Sequence, residues 1–119
     1  MSEIKIKATV VRAAKVFTID KRDDQETMVM LIAKVTAPKK WASDKNIAFY
    51  LAKNINRETE IFGLLPRFIA MATSEAGDEV IIKTTSQTNS LLSKEFLTNR
   101  ISSFYNQTTK LGDWEIDCD

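Results

Sequence analysis

The chain opens on a strict two-residue alternation: Ile4, Ile6, Ala8 and Val10 fall on one side, Lys5, Lys7 and Thr9 on the other. A period of two marks a strand with one buried face. The adjacent Ala13 and Ala14 predict a bend before a second extended stretch over residues 16–20. Residues 21–26 are wholly polar and predict a turn. Residues 27–37 predict a second strand, stopped by Pro38. Met28 and Met30 alternate there with Val29 and Leu31, so this strand is apolar on both faces and suggests a subunit contact on one of them. A basic loop over residues 39–46 carries Trp41, and a third strand over 47–53 alternates Ile47, Phe49 and Leu51 with Ala48, Tyr50 and Ala52.

The period then changes. Leu65, Phe68, Ile69, Ala72 and Ala76 recur at helical spacing and form one apolar stripe. Pro66 suits a first helical turn, and Gly77 is the expected stop. Phe62, Phe68 and Ile69 are expected to pack this helix on the sheet. A fourth strand follows over residues 78–86, with Val80 and Ile82 inward and Ile81, Lys83 and Thr85 outward. Residues 94–105 predict a fifth strand, although Phe96, Leu97, Arg100, Ile101 and Phe104 also share a helical stripe. The order is strand-strand-strand-helix-strand-strand. It predicts a mainly β protein: a five-stranded Greek-key barrel of the OB type, with one helix between strands three and four. The alternative is an α+β sheet with a second helix near residues 92–105.

Composition narrows the chemistry. The 119 residues, 44% hydrophobic and 28% charged, suit one globular domain. That domain is expected over residues 1–111, with an acidic tail over 112–119. No apolar run is long enough for a membrane span and no secretory signal opens the chain, so no membrane partner and a cytoplasmic location are expected. One cysteine, Cys118, cannot close an internal disulfide. Histidine is absent, which removes most zinc sites and His-dependent catalysis, so neither an enzyme nor a metal or other cofactor is expected. Four of the 16 acids crowd into the last eight residues, leaving 12 acids against 17 bases in the body. A basic body with an acidic end often accompanies nucleic-acid binding.

The order and local residues resemble the single-stranded DNA-binding proteins (SSBs), most of all the small SSBs of lactococcal virulent phages. The resemblance is carried by Phe62-Gly63-Leu64-Leu65, by the Gly77-Asp78-Glu79-Val80-Ile81-Ile82 junction, by Lys39-Lys40-Trp41 and by the acidic end. The tail differs from that of cellular SSBs in lacking a Pro-Phe ending and a long linker. The resemblance implies sequence-independent binding of single-stranded DNA during phage replication or recombination, in the host cytoplasm. It also implies a dimer or tetramer, and a tail that recruits replication or recombination proteins.

Such binding requires cations for phosphates and flat side chains on which bases stack. Trp41 beside Lys39 and Lys40 is one candidate, its alternative being an anchor folded back on the barrel. Tyr50, flanked by Ala48 and Ala52, is a second, unless it packs at a subunit contact. As a strand, residues 94–105 would line up Phe96, Arg100 and Phe104 as a stacking ladder; as a helix they become core. Lys53, Arg57, Lys83 and Lys94 are candidate groove cations. In the tail, Asp113, Trp114, Glu115, Ile116, Asp117 and Asp119 are candidates for docking a partner. Two other functions fit the same pattern: an adaptor or inhibitor module acting on host machinery, and an RNA-binding OB domain.

Overall fold

The protein, as a computed structural model, is described over residues 2–21, 24–42, 44–52, 64–86 and 99–113. Among these are six strands and one helix: β1 (Ser2–Lys21), β2 (Asp24–Ala37), β3 (Ile47–Ala52), α1 (Pro66–Ala72), β4 (Glu79–Ser86), β5 (Asn99–Asn106) and β6 (Leu111–Gly112). β1 pairs antiparallel with β2 through its second half and with β4 through its first. β2 pairs with β3 and β4 with β5. A short parallel contact between β3 and β5 then closes the five long strands into an OB-like barrel. The helical alternative for residues 92–105 is therefore excluded over Asn99–Asn106, where the chain is β5.

Alternation in the sequence becomes the inside and outside of this wall. Ile4, Ile6, Ala8 and Val10 of β1 and Val29, Leu31, Ala33 and Val35 of β2 all face the core, where Phe49 and Phe104 are fully buried. Each such large side chain contributes on the order of 1.5–3 kcal/mol relative to exposure. The bend expected at Ala13-Ala14 is present as register shifts between Val10 and Arg12 and between Arg12 and Lys15. These bulges let one long strand serve both halves of the barrel.

The helix is shorter than expected, ending at Ala72 with Thr73 as its C-cap. Its buried positions are Ala70 and Met71, with Leu65, Phe68 and Ala72 partly buried against the core. Ile69, expected in the core, is 40% exposed. Seven residues make barely two turns, so only a narrow stripe touches the barrel, and the stripe is centred one to two residues from the one inferred. Gly77 does not end the helix. It sits in the following turn at φ +94°, where its N–H donates to the Val10 carbonyl at 2.8 Å.

The barrel also continues past the expected domain boundary. β6 pairs Leu111 with Asn106 and Gly112 with Tyr105. The Asp113 N–H donates to the Phe104 carbonyl at 2.9 Å, and its carboxylate accepts from the Phe104 N–H at 3.3 Å. Gly112 and Asp113, assigned to the tail from sequence, belong to the fold.

Candidate nucleic-acid interface

OB barrels present the outer face of strands two and three, with the flanking loops, to oligonucleotides and oligosaccharides. That face is built here in register. Lys15 of β1, Met30 of β2, Tyr50 of β3 and Arg100 of β5 are successive Cα partners in one row across four strands. One row along, Arg12, Ile32 and Ala48 are partners, and beyond them Thr9 pairs with Lys34. Met28, Met30, Ile32 and Tyr50 are half-buried, whereas Arg12, Lys15, Lys34 and Arg100 are exposed. The result is an apolar floor with cations on both sides.

Tyr50 and Arg100 are thus brought together by the parallel β3–β5 contact, although they are 50 positions apart in the chain. Arg12, Lys15, Lys34 and Ile32 were not among the candidates read from sequence, and Met30 was read there as part of a subunit contact. A signal for two of them was present in the Ala13-Ala14 bend. The extra residue there turns Arg12 and Lys15, three apart, to the same face, which a regular strand would forbid.

The proposed Phe96-Arg100-Phe104 ladder is corrected in the same way. Lys83 pairs with Ser103 but Thr84 with Ile101, so Ser102 is an extra residue in β5. The bulge reverses the alternation: Ile101 and Phe104 both point into the core and Phe104 has no exposed surface. Arg100 remains outside, Phe104 is a core residue, and Phe96 lies outside the described residues. Ser102 donates its hydroxyl to the Lys83 carbonyl at 3.3 Å, while the buried Thr84 hydroxyl donates to the Arg100 carbonyl at 2.6 Å.

Trp41 is half-buried and packs against the core, in a turn where the Trp41 and Ala42 N–H groups both donate to the Pro38 carbonyl. The Lys40 ammonium lies 5.1 Å from the centroid of its ring. One side of the indole is therefore anchored and a cation already occupies a ring face, an attraction of about 0.5–1 kcal/mol at exposed sites. Lys39 and Lys40 are exposed beside it.

Lys83 is placed elsewhere. Its partners are Lys5 and Ser103, on the β1–β4–β5 wall, away from the row that holds Tyr50. The neighbouring outward residues Ile81 and Tyr105 form a small cluster separate from the main core. Lys53, Arg57, Lys94, Trp114, Glu115, Ile116, Asp117 and Asp119 lie outside the described residues. Among the described residues no cluster of acids or cysteine is arranged to hold a metal, and no helix is long and apolar enough to cross a membrane.

No protein-family model, no curated protein and no solved structure matches the chain.

Proposed function

We propose that this protein binds single-stranded DNA without sequence preference, through phosphate contacts and base stacking on the outer face of β2 and β3, and that it protects exposed strands during phage DNA replication or recombination. The observation that carries this reading is the Tyr50–Arg100 pairing beside half-buried Met30 on an OB-like barrel. An aromatic plane stacks with any base, and a flanking guanidinium neutralises the phosphate without reading sequence. The Lys40–Trp41 loop extends the cationic surface at one end of the same strands. The resemblance to SSBs supports the phage setting, a dimer or tetramer, and recruitment of replication or recombination proteins by the acidic tail.

The test is a gel shift with labelled oligo-dT at low salt, alongside a duplex of equal length. A shift that weakens as salt rises and is stronger for the single strand supports the proposal. No shift at micromolar protein sinks it in favour of a protein–protein module, and stronger retention of oligo-U would make RNA the ligand. Sedimentation of the free protein measures its oligomeric state.

A further inference from the structure

We infer that a bound strand lays its phosphates along a rail formed by Lys34, Arg12 and Lys15, with its bases over Ile32, Met30 and Tyr50; this rests on the single-strand reading above. All three rail cations are exposed. Lys34 opposes Thr9, Arg12 opposes Ile32 and Lys15 opposes Met30, so the cations occupy three consecutive outward rows, slanting from β2 to β1. Consecutive outward positions on a strand are about 6.6–6.8 Å apart. That spacing is comparable to the separation of neighbouring phosphates in an extended single strand, so each cation faces one phosphate.

The floor beside the rail explains which side the bases take. Ile32 and Met30 are half-buried partners of Arg12 and Lys15, and Tyr50 is the next residue across from Met30. On the far side Arg100 closes the row. No carboxylate shares the Arg12–Ile32–Ala48 or Lys15–Met30–Tyr50–Arg100 row. The nearest in register are Glu26, opposite Ile19, and Glu79, which accepts the Thr9 hydroxyl at 3.0 Å. In the other direction β2 leads from Lys34 into the loop that carries Lys39 and Lys40. The strand therefore runs along β2, past the Ala13-Ala14 bulge, and the bulge matters because without it Arg12 and Lys15 could not share the rail.

The slope of log affinity against log salt counts the phosphates neutralised, at about 0.7 per phosphate for single strands. The full-length protein is titrated with labelled oligo-dT, and with an abasic oligomer of equal length, at several salt concentrations. Arg12→Gln, Lys15→Gln and Lys34→Gln are each expected to lower the slope by about 0.7, and the triple variant by about 2, for both oligomers. Lys5→Gln, on the β1–β4 wall, is the control and leaves the slope unchanged. Tyr50→Ala weakens oligo-dT binding without changing the slope. An unchanged slope in the triple variant, or an equal drop in Lys5→Gln, overturns the rail while leaving single-strand binding intact. If the wild-type protein binds neither oligomer, the single-strand reading falls and the rail with it.

Discussion

The Asn106 side chain donates to Asp78 Oδ2 at 2.9 Å and to the Ser74 hydroxyl at 3.1 Å, joining the end of β5 to the turn before β4 and to the end of α1. Its carbonyl oxygen accepts from the Thr108 and Thr109 N–H groups, at 2.9 and 3.0 Å, and shapes the β5–β6 turn. The Ser74 hydroxyl donates to the Ala70 carbonyl at 2.7 Å, and the Glu75 N–H donates to Asp78 Oδ2 at 3.0 Å. One buried amide thus ties the 74–78 stretch to the end of β5, 28 to 32 residues further along the chain. Asn106→Ala takes a donor from Ser74 and from Asp78 and the acceptor from the Thr108 and Thr109 N–H groups, so it is expected to destabilise the fold by about 2–4 kcal/mol. Urea unfolding measures it; a loss below about 0.5 kcal/mol would show that water replaces the amide freely.

The two glycines with positive φ should respond differently to alanine. At Gly112, with φ +130°, a Cβ would lie 2.3 Å from the Phe104 carbonyl oxygen and 2.7 Å from the Tyr105 Cα. Both neighbours are backbone of β5, so the strand must move, and Gly112→Ala is expected to cost more than about 2 kcal/mol. At Gly77, with φ +94°, a Cβ meets nothing within 4 Å, and only the backbone preference is lost, about 1–2 kcal/mol. Thermal melts of the two variants should rank them in that order.

Tyr50→Ala and Phe104→Ala separate the outer face from the core. Loss of one stacking residue is worth about 1–3 kcal/mol, so Tyr50→Ala should weaken oligo-dT binding by about five- to 150-fold with little change in melting temperature. Phe104→Ala should instead lower stability by about 3–5 kcal/mol through the cavity it leaves. Equal affinity of Tyr50→Ala and wild type would remove Tyr50 from the interface.

Trp41 carries both roles. Trp41→Ala should lower stability by about 1–3 kcal/mol, since its ring is partly packed on the core, and also weaken oligo-dT binding. Lys40→Ala removes only the cation over the ring and should change stability by less than about 1 kcal/mol. A fully stable Trp41→Ala protein would mean that the indole anchors nothing.

Truncation after Asp113 tests the acidic end without disturbing β6. Removing residues 114–119 takes away three acids, Glu115, Asp117 and Asp119, and should leave the melt unchanged while preserving or raising DNA affinity. Removing Asp113 as well is expected to destabilise the protein, because Asp113 holds both the N–H and the carbonyl of Phe104. A lower affinity in the shorter truncation would place those acids in support of the fold.

Most of the wall was legible from the chain because burial of one sheet face imposes a period of two. Ile4 to Val10, Val29 to Val35, Ile47 to Leu51 and the Val80–Ile82 pair all face as the alternation predicts. The errors cluster where a single residue breaks that period. Ser102 turned Phe104 inward, the extra residue at Val11 turned Arg12 outward, and a second extra residue at Ala13-Ala14 kept Lys15 on the same face. The two-residue β6 is too short to have any period, and its place is decided by the Asn106 turn and the Asp113 hydrogen bonds.

By itself the sequence determined the first four strands and the helix after the third, because these follow from local periodicity and from Pro and Gly positions, while residues 94–105 fitted both a strand and a helix and β6 left no signal. Tertiary structure alone decided which outward residues are neighbours. The β3–β5 contact sets Tyr50 beside Arg100, and the β1 bulges set Lys15 and Arg12 along Met30 and Ile32. Register between distant strands is chosen by the whole closed core, and a one-residue bulge redirects every side chain beyond it, so no local window of sequence contains that information.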